Sequence, residues 1–483
     1  MPNPALFRPL RALLLPLLLL GTCQSGTKSA TETDAAAPPA APDSAAFTVR
    51  HPAWARHATI YQVNVRQYTP QGTLRAAEAD LPRLQRLGVG ILWLMPVNPI
   101  GRSHRKGTLG SAYSVRDYRA VNPDLGTLAD LQHYVRTAHG LGMHVILDWV
   151  ANHTAWDSNL VTEHPDWYTR DSLGHFRPPV ADWQDVIDLD YRKPALRRYM
   201  AETMAQWVRT AGLDGFRCDV AGLVPTDFWN DTRAELERIK PVFMLVEWDE
   251  LFPPTFISRK EFDPDTRLFE KAFDAAYSLR LHGLLNSLGR SQKPTAELAH
   301  YWAAERRRYP AGVSLMTFTS THDINAWDGS EYERLGPNAR PEAVLTLLWP
   351  WPGIPMLYNG QEAAMKHRLR FFDKDTIPWG NYPLQGFYTT LLALKQRHPA
   401  LANFDAGSKF RLLPSPAGTV VFERSKGPAA VVVMVNLSDQ PQPLPEAAAS
   451  YQPLFPISDA ARATATVALA PNGYQVWEKP GRK

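Results

Sequence analysis

The sequence has little of several features that would fix a function class at once. Its 483 residues include only two cysteines, Cys23 and Cys218, so a disulfide framework is excluded. Neither sign of charge dominates, with 52 Lys and Arg against 48 Asp and Glu, and this balance argues against a nucleic-acid-binding protein. The sequence contains no Cys/His cluster with zinc spacing, no phosphate-binding glycine loop and no internal repeat. The 45% hydrophobic content excludes a wholly disordered chain.

One apolar run, residues 13–20, lies near the N-terminus and is too short to span a bilayer. Two arginines precede it, as in an export signal. Residues 20–23 (LGTC) are similar to the lipobox of bacterial lipoproteins, although Thr22 stands where Gly, Ala or Ser is usual. We expect residues 1–22 to be removed and Cys23 to be lipidated, which would leave an exported, membrane-anchored protein in the periplasm or at the cell surface. A plain signal peptide with an incidental Cys, and hence a periplasmic or secreted protein, is the alternative.

The rest of the chain divides by composition. Residues 23–48 are rich in Ala, Pro, Ser and Thr without apolar periodicity, which predicts a flexible linker. From there to residue 400, apolar runs alternate with amphipathic helical patterns, and eight such runs predict an α/β fold of the (β/α)₈ TIM-barrel type over residues 49–400. The predicted strands are 60–65, 90–95, 144–150, 215–219, 243–247, 273–277, 315–319 and 354–358.

Two segments depart from this alternation. Residues 151–192, after the third strand, are too long for a simple crossover and predict a small inserted subdomain on the catalytic face. Residues 401–483 consist of short β-rich runs with turn residues between them, which predicts a C-terminal β-sandwich.

Charged and polar side chains are concentrated where the predicted strands end. Parallel strands end on one face of a barrel, which is where barrel enzymes carry their active sites. A charged residue that ends an apolar run is costly to bury without partners, so it usually serves a function there. The residues that converge in this way are Asp148, His153, Arg217, Asp219, Glu247, His322 and Asp323.

The order and spacing of these residues resemble the α-amylase family, glycoside hydrolase family 13. The four sequence regions of that family correspond to DWVANH (148–153), GFRCDVA (215–221), VEW (246–248) and FTSTHD (318–323). Supporting stretches are GSAYSVRDYRAVNPDLGT (110–127), VIDLDY (186–191) and GIPMLYNGQE (353–362). The resemblance covers roughly residues 53–399, and several spaced motifs that agree are a strong signal.

The resemblance implies a retaining α-glycoside hydrolase that acts on α-1,4-glucans such as starch, glycogen and maltooligosaccharides. Retaining glycosidases use two carboxyl groups, one attacking the anomeric carbon and one protonating the leaving oxygen. Asp219 is then the nucleophile, Glu247 the acid/base and Asp323 the third carboxylate. Arg217, two residues before Asp219 on one strand, is expected to lower the pKa of that carboxyl and keep it ionised.

The remaining implied roles concern substrate contacts and support. His153 and His322 would hydrogen-bond sugar hydroxyls, and Tyr113 would stack beneath the sugar ring. Asp148 is expected to orient Arg217. The family's chemistry requires no cofactor, but Asn152 matches a calcium ligand of some members. Calcium takes six to eight oxygens, and Asp182, Asp185 and Asp188 in the inserted subdomain could supply some of them. Solvated loop acids or caps are the alternative interpretation of these three residues.

Two departures from the family pattern affect specificity. Many endo-acting members carry a Lys-His pair after the nucleophile, and Gly222 and Leu223 stand there instead. Binding of the sugars on the leaving-group side is therefore expected to be weak, which favours short or branched glucans as substrates. Thr321 replaces the commoner Asn before His322 and Asp323.

Two other functions remain open at the level of sequence. An α-glucanotransferase or a trehalose synthase would use the same covalent intermediate with a different acceptor. A non-catalytic carbohydrate-binding lipoprotein is disfavoured because such chains would be expected to lose carboxylates, and all three are present here. Oligomeric state and membrane face are not indicated by the sequence.

Overall fold

A ring of parallel strands forms the centre of the protein. The computed structural model describes residues 48–248, 265–309, 312–335, 341–455 and 468–479. Eight strands form one sheet in the order β8-β7-β6-β3-β2-β1-β10-β9, while β4 and β5 pair elsewhere. The first ten strands are β1 Ile60–Val63, β2 Ile91–Leu94, β3 His144–Trp149, β4 His153–Ala155, β5 Val186–Asp188, β6 Gly215–Cys218, β7 Phe243–Val246, β8 Ala275–Ala276, β9 Met316–Thr317 and β10 Ile354–Tyr358.

The two ends of the sheet meet between β8 and β9. A parallel bridge joins Tyr277 to Met316, and the backbone N–H and the hydroxyl of Ser278 both donate to the Met316 carbonyl, at 3.0 and 2.7 Å. β1, β2 and β7 are buried along their whole length, as strands covered on both faces should be. The predicted (β/α)₈ barrel is confirmed, although β8 and β9 are shorter than their apolar runs.

Helices cover the outside of the ring. The apolar residues of the fourth helix recur every three to four positions and are buried, and a capping box between Thr127 and Asp130 begins that helix. The helices are α1 Val65–Tyr68, α2 Leu74–Glu78, α3 Leu81–Leu87, α4 Leu128–Gly140, α5 Asn159–Glu163, α6 Pro194–Ala211, α7 Thr226–Glu237, α8 Asp265–Lys271, α9 Leu279–Gly289, α10 Glu297–Arg308, α11 Glu331–Arg334, α12 Pro341–Leu348 and α13 Gln385–Arg397. None of the helices in the described part of the chain is long and apolar enough to cross a bilayer.

The segment between β3 and β6 carries its own small sheet. β4 and β5 pair antiparallel, with Thr154 opposite Ile187, and α5 lies between them in the chain. Tyr118 ties this segment to the barrel, because its hydroxyl group lies 2.7 Å from the carbonyls of both Val150 and His153. The segment therefore begins immediately beside the strand ends that carry the charged residues.

An antiparallel sheet follows α13 at the C-terminal end. The strands are β11 Lys409–Leu413, β12 Thr419–Lys426, β13 Ala429–Asn436, β14 Gln442–Pro443, β15 Gln452–Pro453, β16 Ala468–Leu469 and β17 Tyr474–Lys479. Five of them form one sheet in the order β11-β12-β13-β17-β15, and β14 pairs with β16. Along β13, Val431, Val433 and Val435 join the main core while Val432 and Met434 form a second cluster, as the alternation of a strand requires. The export signal, Cys23 and nearly all of the linker predicted from the sequence lie outside the described residues.

Candidate active site

Arg217, on β6, lies at the centre of the charged cluster at the C-terminal ends of the strands. Its side chain is fully buried. Nη1 donates to Oδ1 of Asp148 at 2.7 Å and to Oδ1 of Asp219 at 2.9 Å, and Nη2 lies 2.6 Å from Oε2 of Glu247. Nε donates to the hydroxyl of Tyr277 at 3.1 Å. One guanidinium therefore holds three carboxylates from three neighbouring strands together.

Asp148 lies near the end of β3, opposite Arg217 in the sheet register, and both of its carboxylate oxygens accept hydrogen bonds. Its Oδ2 accepts from the indole N–H of Trp93 at 3.1 Å and from the hydroxyl of Tyr113 at 2.8 Å, in addition to the Arg217 contact at Oδ1. A fully hydrogen-bonded, buried carboxylate cannot serve as nucleophile or acid without losing these bonds. The structure thus places Asp148 as an anchor for Arg217 and Tyr113.

Glu247 follows β7 and is fixed on one side only. Its Oε2 accepts the backbone N–H of Val220 at 3.0 Å and contacts Arg217. Val220 directly follows Asp219 and has a φ of 36°, a left-handed conformation that is unusual for a β-branched residue. This strained turn directs a backbone donor at Glu247, so the conformation of the chain after Asp219 also positions the second carboxylate.

The electrostatic balance at Asp219 differs from the one expected from Arg217 alone. Burial raises the pKa of Asp219 well above its usual range; Arg217 lowers it, but the charges of Glu247, Asp148 and Asp323 raise it further. Arg217 thus lowers the pKa of Asp219 as predicted, but burial and three neighbouring carboxylates outweigh it, and the net shift is upward. The expectation that Arg217 by itself keeps this carboxyl ionised is therefore not supported.

His322 connects the carboxylate cluster to β1. Its Nδ1 lies 2.7 Å from the side-chain amide nitrogen of Gln62, and its Nε2 lies 2.7 Å from the hydroxyl of Tyr113 and 3.1 Å from Oδ2 of Asp323. Because the amide nitrogen can only donate, Nδ1 must accept, and the proton of a neutral His322 is on Nε2. The ring therefore presents an N–H toward Tyr113 and Asp323.

Asp323 is half-exposed and faces the open side of the cluster. Burial raises its pKa, but the charge and hydrogen bond of His322, together with Arg217 and Trp327, give a net lowering. Asp323 therefore stays ionised. Its pKa is thus shifted in the opposite direction from that of Asp219, although both belong to one cluster.

Tyr113 and His153 lie on the other side of the site. The Tyr113 ring stacks on that of His322, with centroids 5.2 Å apart and an interplanar angle of 16°. Burial lowers the pKa of His153 to about 4, with Asp185 and a hydrogen bond to the Tyr113 backbone raising it. His153 is thus neutral near pH 7, and its Nδ1 lies 3.3 Å from the amide nitrogen of Asn152.

Gly222 and Leu223, on the leaving-group side, are both buried. A Cβ built on Gly222 would lie 2.1 Å from Cδ2 of the Trp248 indole, so no side chain fits at this position. Trp248, next to Glu247, occupies the space into which a longer residue would extend. The packing of Trp248 against Gly222 therefore leaves no room for a lysine at that position.

The acids of the inserted segment do not assemble around Asn152. Asp185 pairs with Nζ of Lys106 at 2.8 Å, Asp188 accepts the hydroxyl of Thr169 at 2.8 Å, and Asp182 is exposed. Oδ1 of Asn152 is buried without a hydrogen-bond partner in the described part of the chain. One amide oxygen falls well short of the six to eight oxygens that calcium takes, so these side chains do not fit the predicted calcium site.

Several residues of the site were not among those predicted from the sequence. The guanidinium of Arg217 lies over the rings of Trp93 and Tyr277, 5.3 and 5.6 Å from their centroids, and Gln62 binds His322. Gln62 is the one polar residue in the strand IYQV, a signal that was present in the sequence. Trp327 is 50% exposed and packs against Phe371 at the open edge, with centroids 5.2 Å apart.

Comparisons with known proteins agree with this geometry. The family model described as the α-amylase catalytic domain matches residues 43–243. The crystal structure of an α-amylase from Lactobacillus plantarum has 33% sequence identity and a TM-score of 0.77, over 88% of this chain and 99% of that one.

Curated relatives are longer than this chain. The α-amylase MalA of Haloarcula japonica is 28% identical over 409 residues, which are 81% of this chain and 57% of the relative. A cyclomaltodextrin glucanotransferase of Geobacillus stearothermophilus is 25% identical over 403 residues, 74% of this chain and 52% of the relative. The chain therefore spans about half the length of these two relatives.

Proposed function

Because the chain belongs to the α-amylase family, we propose that it is a retaining α-glycoside hydrolase acting on α-1,4-glucans. The observation that carries this proposal is the contact of one buried guanidinium, that of Arg217, with both Asp219 and Glu247. Two carboxyl groups held side by side at the open end of a barrel are what a double displacement at an anomeric carbon requires.

In the proposed mechanism, Asp219 attacks the anomeric carbon while Glu247 gives its proton to the leaving glycosidic oxygen. The bond from the anomeric carbon to that oxygen breaks as a covalent ester with Asp219 forms. Glu247, now ionised, then takes a proton from a water molecule, and this water breaks the ester and releases the sugar. For this step the proton must be on Glu247 and not on Asp219 when Asp219 attacks. The reaction needs no cofactor, as is consistent with the family.

Asp323 and His322 are proposed to bind the sugar at the cleavage point. An ionised Asp323 stabilises the positive charge that develops on the ring in the transition state. A sugar hydroxyl would share Nε2–H of His322 with Tyr113 and Asp323, and neutral His153 would offer a second donor from the other side. The exposed ring of Trp327 offers an apolar face on which a further sugar can stack.

We further propose a preference for short or branched α-glucans. Gly222 and Leu223 are buried and Trp248 fills the space beside Gly222, so the chain supplies no polar side chain at these positions to hold a long leaving group. Contacts beyond the cleavage point raise kcat/KM only if they exist. The test is kcat/KM for maltotriose, maltoheptaose and amylose, and a steep rise with chain length would refute the preference.

Transglycosylation is the second candidate, and the similarity to a cyclomaltodextrin glucanotransferase favours considering it. The same covalent intermediate gives a new glycosidic bond when a sugar hydroxyl replaces water. Product analysis on starch, pullulan, maltotriose and trehalose separates the two. Reducing sugar that accumulates as fast as starch is cleaved supports hydrolysis, whereas longer or cyclic glucans without net reducing sugar support transfer.

We also propose that the protein is an exported lipoprotein anchored through Cys23. Support comes from the order of basic, apolar and LGTC segments in residues 1–23. Wild-type protein should partition into membranes and detergent, and Cys23→Ser should leave it soluble or unprocessed. A wholly soluble wild-type protein with another mature N-terminus would contradict the anchor and leave the enzymatic proposal untouched.

A further inference from the structure

A cationic cavity lies beside the active site and takes no part in the chemistry proposed above. It has a volume of about 240 Å³ and is bounded by the loops that follow β1, β2 and β10. Four arginines and one lysine line it against a single carboxylate, that of Asp124. We call this cavity the basic pocket. Its cationic lining residues are Arg66, Arg102, Arg105, Arg116 and Lys374.

The charges of the basic pocket are not neutralised by ion pairs. Nη1 and Nη2 of Arg66 donate to the carbonyls of Gly110 and Phe371 at 2.9 and 2.6 Å, and Nε of Arg105 donates to the Gly101 carbonyl at 2.7 Å. Lys374 donates to the Thr69 carbonyl at 3.0 Å. Within the described ranges, none of the five cations forms an ion pair with a carboxylate. Backbone carbonyls hold Arg66, Arg105 and Lys374 in position without forming an ion pair with them.

The cations of the basic pocket also repel one another. Burial lowers the pKa of Arg66 to about 10, with Asp373 raising it and Arg105 lowering it. Burial, together with the charge of Arg66, also lowers the pKa of Lys374, although Asp375 raises it. A bound anion would relieve this repulsion, which makes the site more favourable for an anion than for a neutral ligand.

The backbone of the pocket is shaped to admit Lys374. Gly72 lines the cavity with a φ of +66°, and a Cβ there would lie 2.8 Å from the Arg66 carbonyl oxygen and 3.3 Å from Cε of Lys374. Only glycine combines this left-handed conformation with so close an approach. The lysine side chain thus passes over a glycine to reach the cavity.

The basic pocket adjoins the catalytic cleft. Asn64, Arg66, Met95 and Ala112 line both this cavity and a smaller one whose wall includes His322. A ligand in the basic pocket is therefore separated from the proposed sugar-binding residues by one layer of side chains.

We propose that the basic pocket binds a phosphate group. Arginine forks bind planar and tetrahedral oxyanions with paired N–H donors, and a cluster with four positive charges in excess matches a dianion better than a single carboxylate. The cavity is below the roughly 300–1,000 Å³ of sites that enclose a drug-sized ligand, so it has room for a small anion but not for a sugar chain. Free phosphate and a phosphate ester on a glucan share this chemistry.

The test measures phosphate binding by titration calorimetry on the full chain in a low-salt buffer. Arg102→Ala/Arg116→Ala removes two charges that have no other partner in the described structure, and Arg136→Ala, on the exposed side of α4, is the matched control. We expect the double variant to weaken binding by at least about tenfold, since each charge-assisted contact is worth a factor of that size. The control should bind as the wild type does.

A second arm identifies the source of the phosphate. The kcat/KM of a maltooligosaccharide with one 6-phosphate is compared with that of its unphosphorylated counterpart. If the wild type has a higher kcat/KM for the phosphorylated substrate and the double variant does not, the ligand is the phosphate ester. If kcat/KM is equal for both substrates, the ligand is free phosphate. Wild-type protein that takes up no phosphate, or a double variant that binds it equally well, overturns the proposal. Calorimetry on the Asp219→Asn variant keeps this outcome independent of the proposed hydrolysis.

Discussion

Arg217 carries one positive charge against the three carboxylates that contact it. Asp148 accepts hydrogen bonds at both of its oxygens, so it serves as a support for Arg217. Asp219 and Glu247 have fewer donors, so they are the pair that can exchange charge during the reaction. Function at the residue scale thus follows from which carboxylate has spare hydrogen-bonding capacity.

The first prediction concerns this pair. Asp219→Asn and Glu247→Gln should each lower kcat by about three orders of magnitude or more, because each carboxylate performs a step that no neighbour can replace. The melting temperature should change little, since both changes are near-isosteric and the raised pKa of Asp219 already favours a neutral group. Asp328→Asn, an exposed acid five residues after Asp323, is the control. A tenth of wild-type activity in either variant would remove these role assignments.

Gln62 is predicted to act as a positioning residue for His322. Gln62→Leu should lower kcat by about 10–100-fold, the usual effect of removing a partner that fixes the orientation of a functional histidine. Without the amide donor the proton of His322 is no longer fixed on Nε2, so the effect should fall on kcat and leave KM and the melting temperature little changed. Gln396→Leu, on the exposed side of α13, controls for a Gln-to-Leu change. A lower kcat that comes with a lower melting temperature or an equally raised KM would mean a merely structural role.

At the scale of elements, the turns after β6 and β7 pack directly on each other through Gly222 and Trp248. Gly222→Ala should displace the indole next to Glu247, lower kcat at least tenfold and cost about 1–3 kcal/mol of stability, as overpacking of a core does. Gly283→Ala in α9 is the matched control, because its Cβ would meet no atom within 4 Å. Wild-type kcat and melting temperature in Gly222→Ala would contradict the packing described for these turns.

At the opposite end of the barrel, the buried acid Asp214 connects several elements of the fold. Oδ2 of Asp214 lies 2.7 Å from Nε2 of His139 on α4 and accepts the backbone N–H of Val145 on β3 at 2.8 Å, while Oδ1 accepts Nζ of Lys240 at 2.8 Å. Burial raises the pKa of Asp214, but its hydrogen bonds to His139, His144 and Lys240 outweigh this and lower it. This acid therefore ties α4, β3, β6 and the segment before β7 together, at the opposite end of β6 from Asp219.

Asp214→Asn should lower the free energy of unfolding by on the order of 3 kcal/mol at neutral pH without changing kcat. Because the folded-state pKa is lowered, the wild type holds this advantage above the unfolded-state pKa of about 3.9 and loses it as the pH falls further toward the folded value. Urea unfolding of both proteins between pH 3 and 7 measures the difference. A difference that is as large at pH 3 as at pH 7 would show that the charge of Asp214 is not the cause.

For the whole molecule, the sequence predicts the barrel because its strands are continuous apolar runs with functional residues at one end. Asp148, Arg217 and Glu247 follow from this rule, since parallel strands end on a common face. The limits of β8 and β9 do not, because strand ends depend on which neighbour supplies hydrogen bonds. In the described residues that part of the ring is closed by one bridge, from Tyr277 to Met316, and by the hydrogen bonds of Ser278 to Met316.

Other features depend on the three-dimensional arrangement and are absent from local sequence. The pKa of Asp219 depends on the sum of burial and three further carboxylates, and the sequence pattern identifies only its nearest cation, Arg217. The acids of the inserted segment were candidate calcium ligands by residue type, but Asp185 pairs with Lys106 and Asp188 with Thr169. The basic pocket likewise joins residues from three separate loops, so no contiguous sequence motif predicts it.

The most direct test of the account is the anomeric configuration of the first product. If Asp219 forms a covalent intermediate that water then breaks, the anomeric centre is inverted twice. Proton NMR during the first minutes of hydrolysis of a maltooligosaccharide should therefore show the α-anomer of the new reducing end appearing before mutarotation produces the β-anomer. If the β-anomer appears first, water attacks the glucan directly, and the double displacement at Asp219 and Glu247 is wrong.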